Sequence, residues 1–317
     1  MVVKVQNEFQ IRANPVRPFE LTQLELEHLA DLRSLALRRP LFTDALAEAT
    51  HRNDVALQSG DHTDAVLREA VQFLYALPAF LTSDLSDAEA LIVSSFARSA
   101  GHATRDLGLR RQGLQVAQLG LWASLSARSA AQRNERRRLH DIASVAAYKL
   151  GDLDAAEGHL ARASELASTA YASARVAATR ASLMHQPERA LVELNGRAID
   201  AIAIDHSPSL AADVVRLRVR AAIRIGTPTM RKLAEDDLTR AAVIGSAETR
   251  PERYVQRFHE LETELLVLLT DSGRQISWRQ IDQRFNELRN TLQRIGGGRQ
   301  ERMRNLENLA RMRMLHG

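Results

Sequence analysis

Between Ile142 and Leu166 apolar positions recur three and four residues apart on either side of a Gly-Asp pair. Ile142, Val145, Ala146 and Leu150 form one stripe, and Ala155, Ala156, Leu160, Ala163 and Leu166 form the next. That spacing predicts two amphipathic helices. Gly151 ends the first, while Asp152 caps the second and favours its N-terminus through the helix dipole. The arrangement recurs along the chain. Gly60-Asp61 precedes Ala65 and Leu67; Gly108 precedes Gly113, Ala117 and Gly120, with Gly101 inside the helix before it. Ala178 is followed by a turn near His185 to Pro187, and Gly226 and Pro228 punctuate a further pair. Proline suits the first turn of a helix, where its missing N–H is not needed. Glycine inside a helix costs about 1 kcal/mol relative to alanine, so Gly101, Gly113 and Gly120 point to helices that cross closely.

Outside these pairs, Thr22 caps an N-terminal helix that ends before Pro40, and Ser86 with Glu89 forms a capping box. A helix over 251–270 stops at Asp271-Ser272-Gly273, and Ser277 caps another. In that helix Ile281, Phe285, Leu288, Leu292 and Ile295 alternate four and three apart, the seam of a helix that pairs with a partner helix. The partner is either the end of the chain's own array, which needs a cap, or a second copy in a homodimer through residues 277–295. Gly296-Gly297-Gly298 reads as a hinge before a last helix over 299–315.

Tyr148 to Ala163 places Gly151, Asp152, Leu153, Ala156, Leu160 and Ala163 on a Gly-Asp, Ala, large apolar, Ala pattern, and Gly101, Gly108, Ala117 and Gly120 make a looser copy. These segments resemble tetratricopeptide (TPR) repeats. The resemblance covers roughly residues 42–245. The turn anchors at 60, 108, 151, 185 and 226 are spaced 48, 43, 34 and 41, against a family period of about 34, so the units carry extra turns or longer loops. The resemblance implies an all-α fold, a right-handed superhelical array of antiparallel helix pairs (a TPR-like α-solenoid) with a C-terminal helical cap. The domain reading is an extended arm over 1–20, the repeat region over 21–250, and a cap with a basic tail over 251–317.

In such arrays the first helix of each pair lines a concave groove that takes the ligand. Carried onto this chain, the groove positions include Arg98, His102 and Arg105; Arg138, Tyr148 and Lys149; Arg175; and Arg216, Arg220 and Arg224. Asp54, Asp141 and Asp213 fall on the same face. Independently of any repeat frame, Arg216, Arg220 and Arg224 are four apart and share one helix face, where like charges repel by a few tenths of a kcal/mol per pair. The surrounding Val214, Val215, Leu217, Val219, Ala221 and Ala222 are apolar. Such a strip meets either an acidic ligand, whose carboxylate or phosphate suits arginine's planar fork, or acids of the next helix such as Glu235 and Asp236.

Composition narrows the chemistry. Of 317 residues, 45% are hydrophobic, 26% charged and 4% aromatic, which suits closely packed helices better than sheets. Without cysteine, disulfides, thiolate metal sites and cysteine nucleophiles are excluded. Lysine occurs only at 4, 149 and 232, so forty of the basic residues are arginines. The net charge of +4 sits in the tail, where ten arginines from Arg274 onward face four acids. A second reading therefore makes the basic C-terminal helices a nucleic-acid-binding regulatory surface. Against it, Arg279, Arg284, Arg289 and Arg294 are five apart and spread around their helix. No two histidines are four apart, Glu25 and His28 lack the second Glu-x-x-His pair of a di-iron bundle, and no phosphate loop or nucleophile elbow occurs. The reading is a non-enzymatic scaffold, adaptor or peptide-sensing regulator that needs no cofactor or metal. Its partner is a protein or acidic peptide. With no secretory signal in "MVVKVQNEFQIRANP" and no apolar run of about 18 residues, the expected location is the cytoplasm.

Overall fold

The computed structural model describes residues 22–59, 64–81, 84–106, 110–125, 129–195, 199–204, 207–247, 252–270, 277–295 and 300–316. The expected arm over 1–20, the anchors Gly60 and Gly108, the stop at 271–273 and the triple glycine at 296–298 lie outside the described residues. Every regular element among the described residues is a helix. The chain divides into two compact units, Met1–Leu57 with His62–Leu166 and, for the most part, Ala167–Gly317.

The first unit holds α1 (Gln23–Ala36), α2 (Arg39–Ser59), α3 (Asp64–Phe80), α4 (Asp87–Asp106), α5 (Arg110–Ala123), α6 (Ala130–Lys149) and α7 (Leu153–Leu166). Its helix ends follow local chemistry. Thr22 and Glu25 cap α1 reciprocally, as do Ser86 and Glu89 for α4 and Ser129 and Gln132 for α6. At the end of α6, Gly151 adopts φ +86°, where only glycine is unstrained. The Asp152 N–H then reaches back to the Ala147 carbonyl and the Gly151 N–H to that of Tyr148, both at 3.0 Å, a Schellman closure. The Asp152 carboxylate accepts the Ala155 N–H at 3.0 Å to start α7. Phe42, Phe73, Phe80 and Phe96 bring α2, α3 and α4 into one core, with ring centroids 5.1–6.1 Å apart.

The three mid-helix glycines mark close crossings. A Cβ on Gly120 would lie 2.7 Å from the Ala97 Cβ and 2.8 Å from Leu139; one on Gly101 would lie 3.0 Å from Ile142; one on Gly113, 3.1 Å from Thr104. Helices α4, α5 and α6 can approach as they do because these side chains are absent. Each of these helices packs on the next, and α4 also packs on α6.

The second unit holds α8 (Ala170–Leu183), α9 (Pro187–Asn195), α10 (Ile199–Ile204), α11 (Pro208–Ile225), α12 (Pro228–Gly245), α13 (Glu252–Thr270), α14 (Trp278–Ile295) and α15 (Gln300–His316). Prolines open α9, α11 and α12, and Gly226 at φ +73° closes α11. The short α10 is the extra element that lengthens the interval between the turns at 185 and 226. Here too α8 packs on α9, α11 on α12 and α13 on α14, while α8 and α13 each pack on α11. The α14 seam is covered within the chain: Ile281, Phe285 and Leu288 are buried with Phe258, Leu261 and Leu265 of α13 and Met303, Leu306 and Ala310 of α15.

Candidate functional site

Successive first helices pack side by side, α4 on α6 in one unit and α8 and α13 on α11 in the other. Their small apolar residues keep the backbones close, so arginine stems span from one helix to acids on its neighbours. In the first unit Arg98 of α4 is the centre of such a span. It donates through both terminal nitrogens to Asp54 of α2 at 2.5 and 3.1 Å, and through Nε to Glu135 of α6 at 2.9 Å. Its side chain is 13% exposed. Burial works against the charge, but the hydrogen bonds to Asp54 and the charges of Glu135 and Asp54 outweigh it and raise the guanidinium pKa. At the adjacent positions, Asn53 donates to Ser99 at 2.6 Å. Arg138 shares Glu135 at 3.2 Å and is 39% exposed. His102 is half-buried on α4, Tyr148 half-buried and Lys149 exposed at the end of α6, and the Arg105 side chain lies outside the described residues.

In the second unit the arginine strip grades along α11. The Arg216 side chain is 3% exposed and donates to the Asp213 carboxylate and, at 2.6 Å, to the Gln256 amide oxygen of α13. Arg220 is 27% exposed and donates to Glu262 of α13 at 2.8 Å; His259 stands 3.5 Å from the same carboxylate. Arg224 is exposed with no ion pair among the described residues. Burial alone would raise the Asp213 pKa; the charges of Arg216, His259 and Arg175 outweigh that and lower it. Arg175 of α8 is itself exposed, so α8, α11 and α13 all contribute to one polar face. The internal partners of the strip come from α13 and not from Glu235 or Asp236 of α12. Two residues advance a helix by about 200°, so α12 meets Arg218 instead, with Asp237 at 3.1 Å.

Comparison with known proteins returns no match to a family model, a curated protein or a solved structure. The reading of this face therefore rests on the chain's own geometry.

The basic tail is partly neutralised. Arg284 pairs with Glu264 at 2.8 Å and Glu287 at 3.1 Å, Arg289 with Glu307 at 3.0 Å, and the Arg294 guanidinium lies 5.6 Å from the Tyr254 ring. Among the described residues no group of three or more His, Asp or Glu side chains is placed to hold a metal ion, and no helix is long and apolar enough to cross a membrane. Glu25 and His28 hold α1 to α3, Glu25 through Arg68 and His28 through Gln72 at 2.6 Å. Spacing along the sequence did not reveal one polar pair: His140 of α6 and His159 of α7 meet at 2.9 Å between their Nδ1 atoms. They are nineteen residues apart, across the Gly151 turn, where a search for i,i+4 pairs does not look.

Proposed function

We propose that this chain is a non-enzymatic interaction module, a TPR-like right-handed array of antiparallel helix pairs. In this reading its first-helix face takes an acidic or carboxylate-bearing peptide. One observation carries it. Arg175 and Arg224 are exposed on α8 and α11 with no ion pair among the described residues, while Arg216 and Arg220 beside them are held by Asp213, Gln256 and Glu262. The anchored arginines fix the helices, and the exposed ones remain available. Arginine's fork would hold a carboxylate through two parallel hydrogen bonds.

The test is fluorescence polarisation with a labelled octaglutamate peptide bearing a free C-terminal carboxylate, its amidated form, and an octalysine control. Binding of the acidic peptides that falls about tenfold or more in Arg175→Glu and Arg224→Glu supports the reading. Equal binding of octalysine, or acidic binding indifferent to both variants, defeats it. Affinity purification with mass spectrometry of co-eluting peptides then names the natural ligand.

A further inference from the structure

Helices α14 and α15 leave between them an open groove of about 280 Å³ floored by Trp278, Ile281, Phe285, Ala310 and Met314. It is independent of the face described above. Ile281 and Phe285 at its base belong to the α14 seam and are already buried, so the apolar surface the groove still offers is that of Trp278 and Met314. Met314 is 57% exposed, and Trp278 opens to solvent at the α14 N-terminus. An aromatic anchor with a methionine is a composition found in interface cores.

The charges around it indicate the occupant. Arg289 and Glu307 pair across the groove at 3.0 Å. That leaves Asp282 on the α14 wall and Arg311 on the α15 wall, both exposed and neither with an ion pair among the described residues. One unpaired charge of each sign, on opposite walls of an apolar floor, is self-complementary. A two-fold axis through the groove sets Asp282 of each copy against Arg311 of the other, twice, over a shared floor of Trp278 and Met314. A partner of a single charge sign would satisfy one wall and repel the other. We propose that this groove is an isologous homodimer interface and that its occupant is a second copy of the chain.

Sedimentation velocity of the full chain over a concentration series tests this, with Trp278 emission followed in a Trp122→Phe background. The mass should rise from one chain to two with concentration, and Trp278 emission should shift to the blue in step. Met314→Glu should weaken association at least tenfold. Asp282→Arg should do the same by placing like charges together at both ends, and adding Arg311→Asp should restore it. All three positions are exposed, so each variant should keep the wild-type helical circular dichroism. A single-chain mass at every concentration overturns the proposal and leaves the groove to a foreign helix. A dimer that ignores Asp282→Arg, or is not rescued by the double reversal, overturns it by placing the interface elsewhere.

Discussion

Replacing Gly120 by alanine adds one methyl group where the structure has no room. The new Cβ would sit 2.7 Å from the Cβ of Ala97 on α4 and 2.8 and 2.9 Å from the two methyls of Leu139 on α6. Leu139 can turn, but Ala97 has only its backbone to move, so α5 must shift away from α4. Overpacking of this kind costs typically about 1–3 kcal/mol. Against it stands the gain of about 1 kcal/mol for alanine over glycine in a helix; with Ala97 Cβ and both Leu139 methyls under 3 Å, the cost lies in the upper part of that range and the net loss is up to about 2 kcal/mol. Gly158, on the exposed face of α7 in the same unit, has nothing within 4 Å of its would-be Cβ, so Gly158→Ala should gain up to about 1 kcal/mol. Urea titrations followed by circular dichroism read both as shifts in midpoint at constant slope. The two alanine variants must move the midpoint in opposite directions. If both stabilise, the close crossing of α4, α5 and α6 is not what requires glycine at position 120, and the packing argument fails.

Removing the guanidinium in Arg98→Ala strands Asp54 and Glu135 together and should cost about 3 kcal/mol, while Arg98→Met, which keeps most of the apolar stem, should cost less; the same urea titration orders them. Stability should also fall as the pH is lowered from about 6.5 towards 4. Burial, reinforced by the charges of His159, Arg136 and Arg162 and opposed by Glu165, lowers the His140 pKa from 6.5 to about 4, and the His159 pKa is also lowered, by burial, against the pull of Asp152. The unfolded chain therefore takes up protons in that window that the folded chain refuses, and the folded state is favoured above it. In His140→Gln the slope of urea midpoint against pH between 6.5 and 4 should flatten; an unchanged slope would show that this pair does not set it.

Local chemistry made most of the helices legible. Ser86 with Glu89, Gly151 with Asp152, and Pro187, Gly226 and Pro228 each act through interactions within a few residues, so their roles do not depend on what packs around them. The close crossings at Gly101, Gly113 and Gly120 were also legible, because a helix keeps an expensive residue only where something offsets its cost. The pairing of the arginines was not. Spacing shows that Arg216, Arg220 and Arg224 share a face, but whether Glu235 on α12 or Glu262 on α13 meets that face depends on how α11 is rotated against its neighbours. Arg98 posed the same difficulty, since its two acids lie 44 and 37 residues away. The His140–His159 contact and the α14–α15 groove are likewise products of tertiary packing, with no trace in the spacing of either helix.

The grading of the strip on α11 turns one question into three. Like charges four apart cannot all remain buried without compensation, and α13 supplies it only where it runs alongside. Arg216 reaches Gln256, Arg220 reaches Glu262, and Arg224, a further turn along, has neither. Structural commitment therefore falls along the helix as availability rises. Substituting Arg216 by methionine should lower stability, because Asp213 loses its nearest counter-charge, and leave peptide affinity unchanged in the molecules that remain folded. Substituting Arg224 by methionine should leave stability within about 0.5 kcal/mol and reduce the affinity for octaglutamate. Measuring both quantities on both variants separates an arginine that holds helices together from one that can receive a ligand. If Arg224→Met lowers the unfolding midpoint as far as Arg216→Met does, the far end of the strip is structural as well, and the acidic-ligand reading loses its support in this unit.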